Sequence, residues 1–424
     1  MFDIRDYGAL GKGELATACI QKAIDEASIK GGTVWIPAGE YTIGTLYLKS
    51  HVELHLEHGA KLIASTDLSD YNPDDIYPEN HICIPEEWNA KHLFVAYEVE
   101  DVALTGDGVI DGSGDFFYCE PKYFSAYTWA EGLALSKDKK NFRPGQTAVF
   151  IGCRHVRVEG VRLENATCWG FHFHRSVDVT VRGIRVFNHP TYANTDGIDI
   201  DCCKDVTVSD SVIDTGDDCI AIRADSARFT DTSLTCENIA ITNCVLASSS
   251  SAFRIGVGIS DIRHVRISNI VIHRAAVGLH LMCDWNRNYS TGLQDIHASH
   301  ISMTNTAYPI TISGGKDKGA ADITIEDVTA ECSAACIVRS QNADLTHDIS
   351  LRHISLKIKD RPIELTDAVK NERGRQMVIL DNVKDLKIEG LTLRYDAGTE
   401  ENWDGVLSMK HLPGLSLSGL EIPD

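Results

Sequence analysis

The sequence predicts an all-β chain wound as a right-handed parallel β-helix, a solenoid, with a helix capping its N-terminal end. Three observations predict it. An alternating apolar stretch, a polar break and a second short apolar stretch recur from residue 92 or so to the C-terminus: VRVEGVRLEN (156–165), VTVRGIRVFN (179–188), VTVSDSVIDT (206–215), IAITNCVLAS (239–248) and VRISNIVIHR (265–274), then ITIEDVTAEC (323–332), ISLRHISLKI (349–358), LKIEGLTLRY (386–395) and LSLSGLEIPD (415–424). Most of the units follow one another at about 23 to 33 residues, varying with loop insertions and without helical periodicity between them, the spacing of stacked repeats that bury their faces only against neighbours. Tight Asn-Gly turns do not separate the strands, which disfavours a sandwich or barrel, and the fixed leucine and asparagine pattern of leucine-rich repeats is missing.

The elements follow in order. LATACIQKAIDEAS (15–28) carries apolar residues at helical spacing, Ala16, Ile20, Ala23, Ile24 and Ala27. Gly31-Gly32 ends that helix, so about residues 15–30 close the open end of the stack. Residues 112–147 lack the repeat and gather Phe116, Phe117, Tyr118, Tyr123, Phe124, Tyr127 and Trp129 with Lys137, Lys139, Lys140 and Arg143; an insertion of this length reads as a loop walling one end of a cleft. CDWNRNYSTG (283–292) interrupts the repeat again and offers Trp285, Arg287 and Tyr289 as platforms for a sugar ring. The whole chain, 1–424, reads as a single β-helix domain.

The formal net charge of −21 disfavours nucleic-acid binding, which needs clustered Lys and Arg, and docking on an anionic membrane. MFDIRDYGAL has no apolar core of a signal peptide, and no apolar run is long enough to span a bilayer. The 13 cysteines, an odd number without metal-ligand spacing, read as reduced thiols of a cytoplasmic protein. A zinc site is not expected, because His172 and His174 lack a third clustered ligand.

The chemistry sits where TGDDCIAIR (215–223) places Asp217 and Asp218 before an alternating strand. Stacking the coils puts Phe171 and Phe173 under Ile198 and Ile200, then Ile220 and Ile222, then Phe253 and Ile255, then Leu279 and Leu281. One outward column then reads His172, Asp199, Ala221, Arg254, His280; the next reads His174, Asp201, Arg223, Gly256, Met282. Just before the strands stand Asp196, Asp218 and Ser251. Parallel strands lie about 4.8 Å apart, so Asp196, Asp217 and Asp218 should be close, and mutual repulsion should raise at least one pKa. A protonated acid and an ionised base at one site are what inverting glycoside hydrolysis uses, with carboxyls roughly 6.5–9.5 Å apart around a water. Turn residues or a calcium site are the plainer alternatives for a lone Asp-Asp pair.

At these residues the chain resembles glycoside hydrolase family 28, the polygalacturonases. Asn194-Thr195-Asp196-Gly197, Gly216-Asp217-Asp218-Cys219 and Trp169 with His172 in CWGFHFH carry the resemblance, and DYGALGKG and GGTVWIPAGEYTIGTLYLKS extend it towards the N-terminus. It implies Asp217 as general acid, and Asp196 and Asp218 as the pair that holds and deprotonates the attacking water, with no metal or organic cofactor. Two family features are missing: Ser251 stands where the family carries a histidine, and His280-Leu281-Met282 replaces its Arg-Ile-Lys segment, although His280 could be partly charged.

Arg223 and Arg254 are the candidate replacements for a carboxylate receptor, or they pair with Asp201 and Asp199. His172, Asp199 and His280 complete the expected sugar-binding set with Trp285. The expected function is an inverting, exo-acting hydrolase of pectin-derived or related uronate-containing oligosaccharides. A β-helix lyase or epimerase on uronates and a non-catalytic carbohydrate-binding solenoid are the rivals.

Overall fold

A computed structural model describes residues 1–78, 90–118, 143–285, 290–359, 376–395 and 398–422. The chain falls into two compact units, one of Met1–Asp217 with Arg228–Thr230, the other of Asp218–Ala227 with Asp231–Asp424. Every strand pair whose register is described is parallel. Parallel strands joined by crossovers wind right-handed, and both units are β-solenoids.

In the first unit, Arg154–Glu159, Val177–Arg182 and Lys204–Ser209 stack so that Val156, Val179 and Val206 form one inward ladder and Val158, Val181 and Val208 a second. All six are buried. β-branched side chains pack well on such a pleated face. Two further faces come from Phe94–Tyr97, Ala148–Ile151, Phe171–His174 and Ile198–Asp201, and from Val109–Asp111, Arg162–Glu164, Arg185–Phe187 and Val212–Thr215. Stacking already begins with Phe2–Asp3 on Gly32–Ile36 and continues with Val52–Leu56, earlier than the repeat is legible.

The capping helix runs Thr17–Lys30. Its expected face, Ile20, Ala23, Ile24 and Ala27, is fully buried against Phe2–Asp3, Gly32–Ile36, Leu46–Tyr47 and Val52–Leu56. It ends at Gly31, whose φ of 72° suits glycine. Among the described residues no helix is long and apolar enough to cross a membrane.

The second unit repeats the scheme. Ile239, Val265, Ile296, Ile323 and Ile349 form one inward ladder. Each is preceded by a corner residue in the left-handed region: Asn238, His264, Asp295, Asp322 and Asp348, with φ from 52° to 61°. The next corner uses Asn243, Asn269, His300, Asp327 and His353 in the same way. Asn, Asp and His are the non-glycine types most often found there.

Candidate active site

In the first unit, alternation decides which side chains can do chemistry. Phe171 pairs with Ile198 and Phe173 with Ile200 on the core face, so His172 stands over Asp199 and His174 over Asp201 on the other, as the stacking predicts. These four face away from the solenoid core, as the outward columns require, yet each is at most 2% exposed, so other parts of the chain cover them. Trp169 meets the His172 ring edge-on at 5.2 Å. Tyr77 Oη lies 3.0 Å from His174 Nδ1, and Phe229 packs on the same ring at 4.6 Å. Tyr77 and Phe229 sit in irregular segments, and no pattern in the sequence marks them.

Asp201 stands 3.8 Å from both His172 Nε2 and His174 Nε2. It is the third metal-capable donor that the sequence expectation lacked, all three within 4.8 Å of one another. The separation exceeds the roughly 3.3 Å between two ligands of a tetrahedral zinc with bonds near 2.0–2.1 Å. The trio is therefore placed as a polar wall, which a cation would have to draw inward.

The NTDG turn positions the first two aspartates. Asn194 adopts φ 57° and its N–H donates to Asp217 Oδ2 at 3.2 Å. Thr195 Oγ1 donates to Tyr192 O at 2.8 Å and accepts from Gly216 N at 3.2 Å. A Cβ at Gly216 would lie 2.4 Å from Tyr192 O, so only glycine fits. Asp196 and Asp217 are both buried, with carboxylate oxygens within 4.8 Å of one another. That is closer than the roughly 6.5–9.5 Å expected for an inverting pair.

Tyr192 is stacked between Tyr118, at 4.2 Å, and His189, at 4.5 Å. Tyr118 Oη also donates to Ala193 O at 2.9 Å. The ends of the 112–147 insertion thus anchor beneath this turn, with Arg143 donating to Thr167 O. Tyr123, Phe124, Tyr127, Trp129, Lys137, Lys139 and Lys140, and with them the expected cleft wall, lie outside the described residues.

Asp218, joined to Asp217 by a peptide bond, opens the second unit. Ser251 N and Ser250 Oγ each donate to its Oδ1 at 3.0 Å, and Arg254 spans both carboxylate oxygens, with Nη2 at 3.3 Å from Oδ1. Burial alone would raise the Asp218 pKa, but the Arg254 charge and these hydrogen bonds outweigh it and hold the carboxyl below its ordinary value. Asp218 is thus ionised, the state a base needs. Arg254 also reaches Met282 Sδ at 3.1 Å and Ser251 Oγ at 3.3 Å; Asp218 is a partner for it that stacking did not foresee.

The register Ile220–Phe253, Ala221–Arg254 and Ile222–Ile255 is as expected, but Ala224 then pairs with Gly258. Gly256 and Val257 both stand opposite Arg223, a β-bulge, so the expected pairing of Arg223 with Gly256 is corrected. Arg223 is buried. Arg254 pairs with His280 and Gly256 with Met282. A Cβ at Gly256 would lie 2.0 Å from Met282 O, which requires glycine at the bulge.

His280 Nδ1 sits 3.3 Å from Ser251 Oγ. Burial first, and the Arg254 charge second, push its pKa down to about 3; the expectation of a partly charged His280 is corrected to a neutral one. Trp285 is half-buried beside Asp284, and Arg287 and Tyr289 lie outside the described residues.

Comparison with known proteins adds a family. A sequence model described as glycosyl hydrolases family 28 matches residues 27–371. A probable polygalacturonase of Vitis vinifera is 28% identical over 228 residues, covering 52% of this chain and 43% of that protein, so the match spans less than half the relative's length. An exopolygalacturonase of Zea mays is 24% identical over 345 residues, covering 77% of this chain and 75% of that protein. The structure of a Yersinia enterocolitica family 28 exopolygalacturonase superposes with a TM-score of 0.69 at 19% identity, over 100% of this chain and 79% of that one, which establishes the shared fold.

Proposed function

The chain belongs to glycosyl hydrolase family 28, and from that premise we propose that it is an inverting, exo-acting hydrolase of pectin-derived, uronate-containing oligosaccharides. The observation that carries the proposal is the close carboxylate pair Asp196–Asp217, continued through the chain by an Asp218 that Arg254 keeps ionised. Asp217 donates its proton to the glycosidic oxygen as the bond to the anomeric carbon breaks. Asp196 and Asp218 orient a water and take its proton as its oxygen bonds to that carbon. His172 and Asp199 are covered, at 1% and 0% exposure, so their proposed part is to support the site as buried polar groups rather than to meet sugar hydroxyls, and Arg223 is the candidate receptor for the reacting sugar's carboxylate. Arg254 acts through Asp218.

Exo action is supported by the exopolygalacturonase among the relatives. The cysteines among the described residues are all free thiols, which supports a reducing compartment such as the cytoplasm.

The test is incubation with galacturonan and rhamnogalacturonan oligosaccharides, followed by proton NMR, with Asp217→Asn as control. A saturated product released with an inverted anomeric proton, lost in the variant, is expected. Because the Asp196–Asp217 spacing is short for inversion, stereochemistry is a sharp part of the test: retention would mean that a carboxylate attacks the sugar directly. A 4,5-unsaturated product would replace the hydrolase by a lyase, and unchanged oligosaccharide would leave a carbohydrate-binding solenoid.

A further inference from the structure

The second unit holds a cavity of about 500 Å³ that adjoins the Asp218–Arg254 pair through His280 and Met282. Strand register fixes its geometry. Val277 pairs with Tyr308, and the columns His280–Thr311–Ile337 and Met282–Ser313–Arg339 run away from Arg254 one strand at a time. Arg339 is therefore two strand spacings beyond Met282, roughly 10 Å.

The lining has two characters. Val277, Tyr308 and Ile337 form an apolar floor that is buried and continuous with Ala307, Ala334 and Ala335. The polar part of the lining includes Asp284, Arg339 and Gln341, with Arg339 two residues along the strand from Ile337 and so on the same face. Asp284 is held in place by Gln341 Nε2, Ser290 Oγ and Lys316 N, each at 3.0 Å. A Cβ on Gly315 would collide with it at 2.2 Å. His280 is neutral, so Arg339, which is exposed, is the one permanent cation among the described lining residues.

An apolar floor takes the C–H face of a pyranose ring, a fixed carboxylate accepts from its hydroxyls, and a guanidinium fork takes a planar anion. We infer that this cavity is a second sugar subsite, selective for a uronate, with Arg339 as the specificity-determining ligand of its carboxylate. The inference rests on the uronate-oligosaccharide reading proposed above and adds to it a sugar bound away from the reacting one.

The test measures binding of trigalacturonate and of its full methyl ester by calorimetry, in protein carrying Asp217→Asn to prevent turnover. The free acid is expected to bind at least tenfold more tightly than the ester. Adding Arg339→Gln reduces that preference to the share that Arg223 supplies at the reacting sugar, and Arg339→Lys restores part of the loss, because an ammonium keeps the charge without the fork. A preference left undiminished by Arg339→Gln overturns the subsite. Hydrolysis of digalacturonate by protein with Asp217 intact is followed in parallel. Hydrolysis with an undiminished preference sinks the subsite and leaves the hydrolase standing. An Arg339-dependent preference without any hydrolysis supports the subsite and sinks the hydrolase. Neither binding nor hydrolysis of galacturonides overturns both.

Discussion

Asp218 and Arg254 are both buried, so their charges offset one another at short range, and removing either would strand the other in a low-dielectric site. His280 adds a pH dependence. Its pKa falls to about 3 in the folded protein, from an ordinary value near 6.5. Above about pH 6.5 neither the folded nor the unfolded chain protonates it. Between about 6.5 and 3 the unfolded chain binds a proton that the folded one refuses, so stability falls as the pH drops through that window. The slope from this residue is at most about 1.4 kcal/mol per pH unit, and contact of its ring edge with solvent in the cavity lowers it. His280→Gln is expected to flatten the acid limb of stability measured by urea unfolding between pH 6 and pH 4; slopes parallel to the parent's would exclude this role. None of this was legible from His280 alone, because its state depends on Arg254 one strand away and on burial that residue type does not reveal.

Among the elements, legibility tracked periodicity. The alternation of FHFH (171–174) and IDID (198–201) fixed the register, since a one-residue slip would turn Phe171 and Ile198 outward. The helix face Ile20, Ala23, Ile24 and Ala27 was legible for the same reason. The bulge at Gly256–Val257 was not, because one inserted residue leaves the apolar pattern on either side intact. Tyr77 and Phe229 were missed because they lie where no period runs. The corners are a case where single residues define an element. Asn269, at φ 56°, donates to Asn243 Oδ1 at 2.7 Å. Asn269→Val is expected to cost about 1–3 kcal/mol, from left-handed strain and the lost bond, whereas Asn269→Gly should cost less, since glycine removes the strain. Equal unfolding midpoints for the two variants in urea would argue against the corner account.

On the scale of the whole molecule, a solenoid's stability is approximately a sum over coils and their interfaces, and side chains in one column recur at a fixed rise. The formal charge of −21 confers solubility and makes a locally placed cation such as Arg339 the more conspicuous to an acidic sugar. The parallel register also makes the second unit a graduated ruler. Met282, Ser313 and Arg339 are successive marks on one edge, and a charge moved from one mark to the next travels one strand spacing without changing the floor beneath it. Exchanging the two residues, Ser313→Arg with Arg339→Ser, would slide the anionic contact about 4.8 Å towards Arg254. Product profiles from a ladder of galacturonate oligomers should then shift their preferred length downward. Chain-length preference in such a protein is a discrete coordinate, set by counting turns of the backbone.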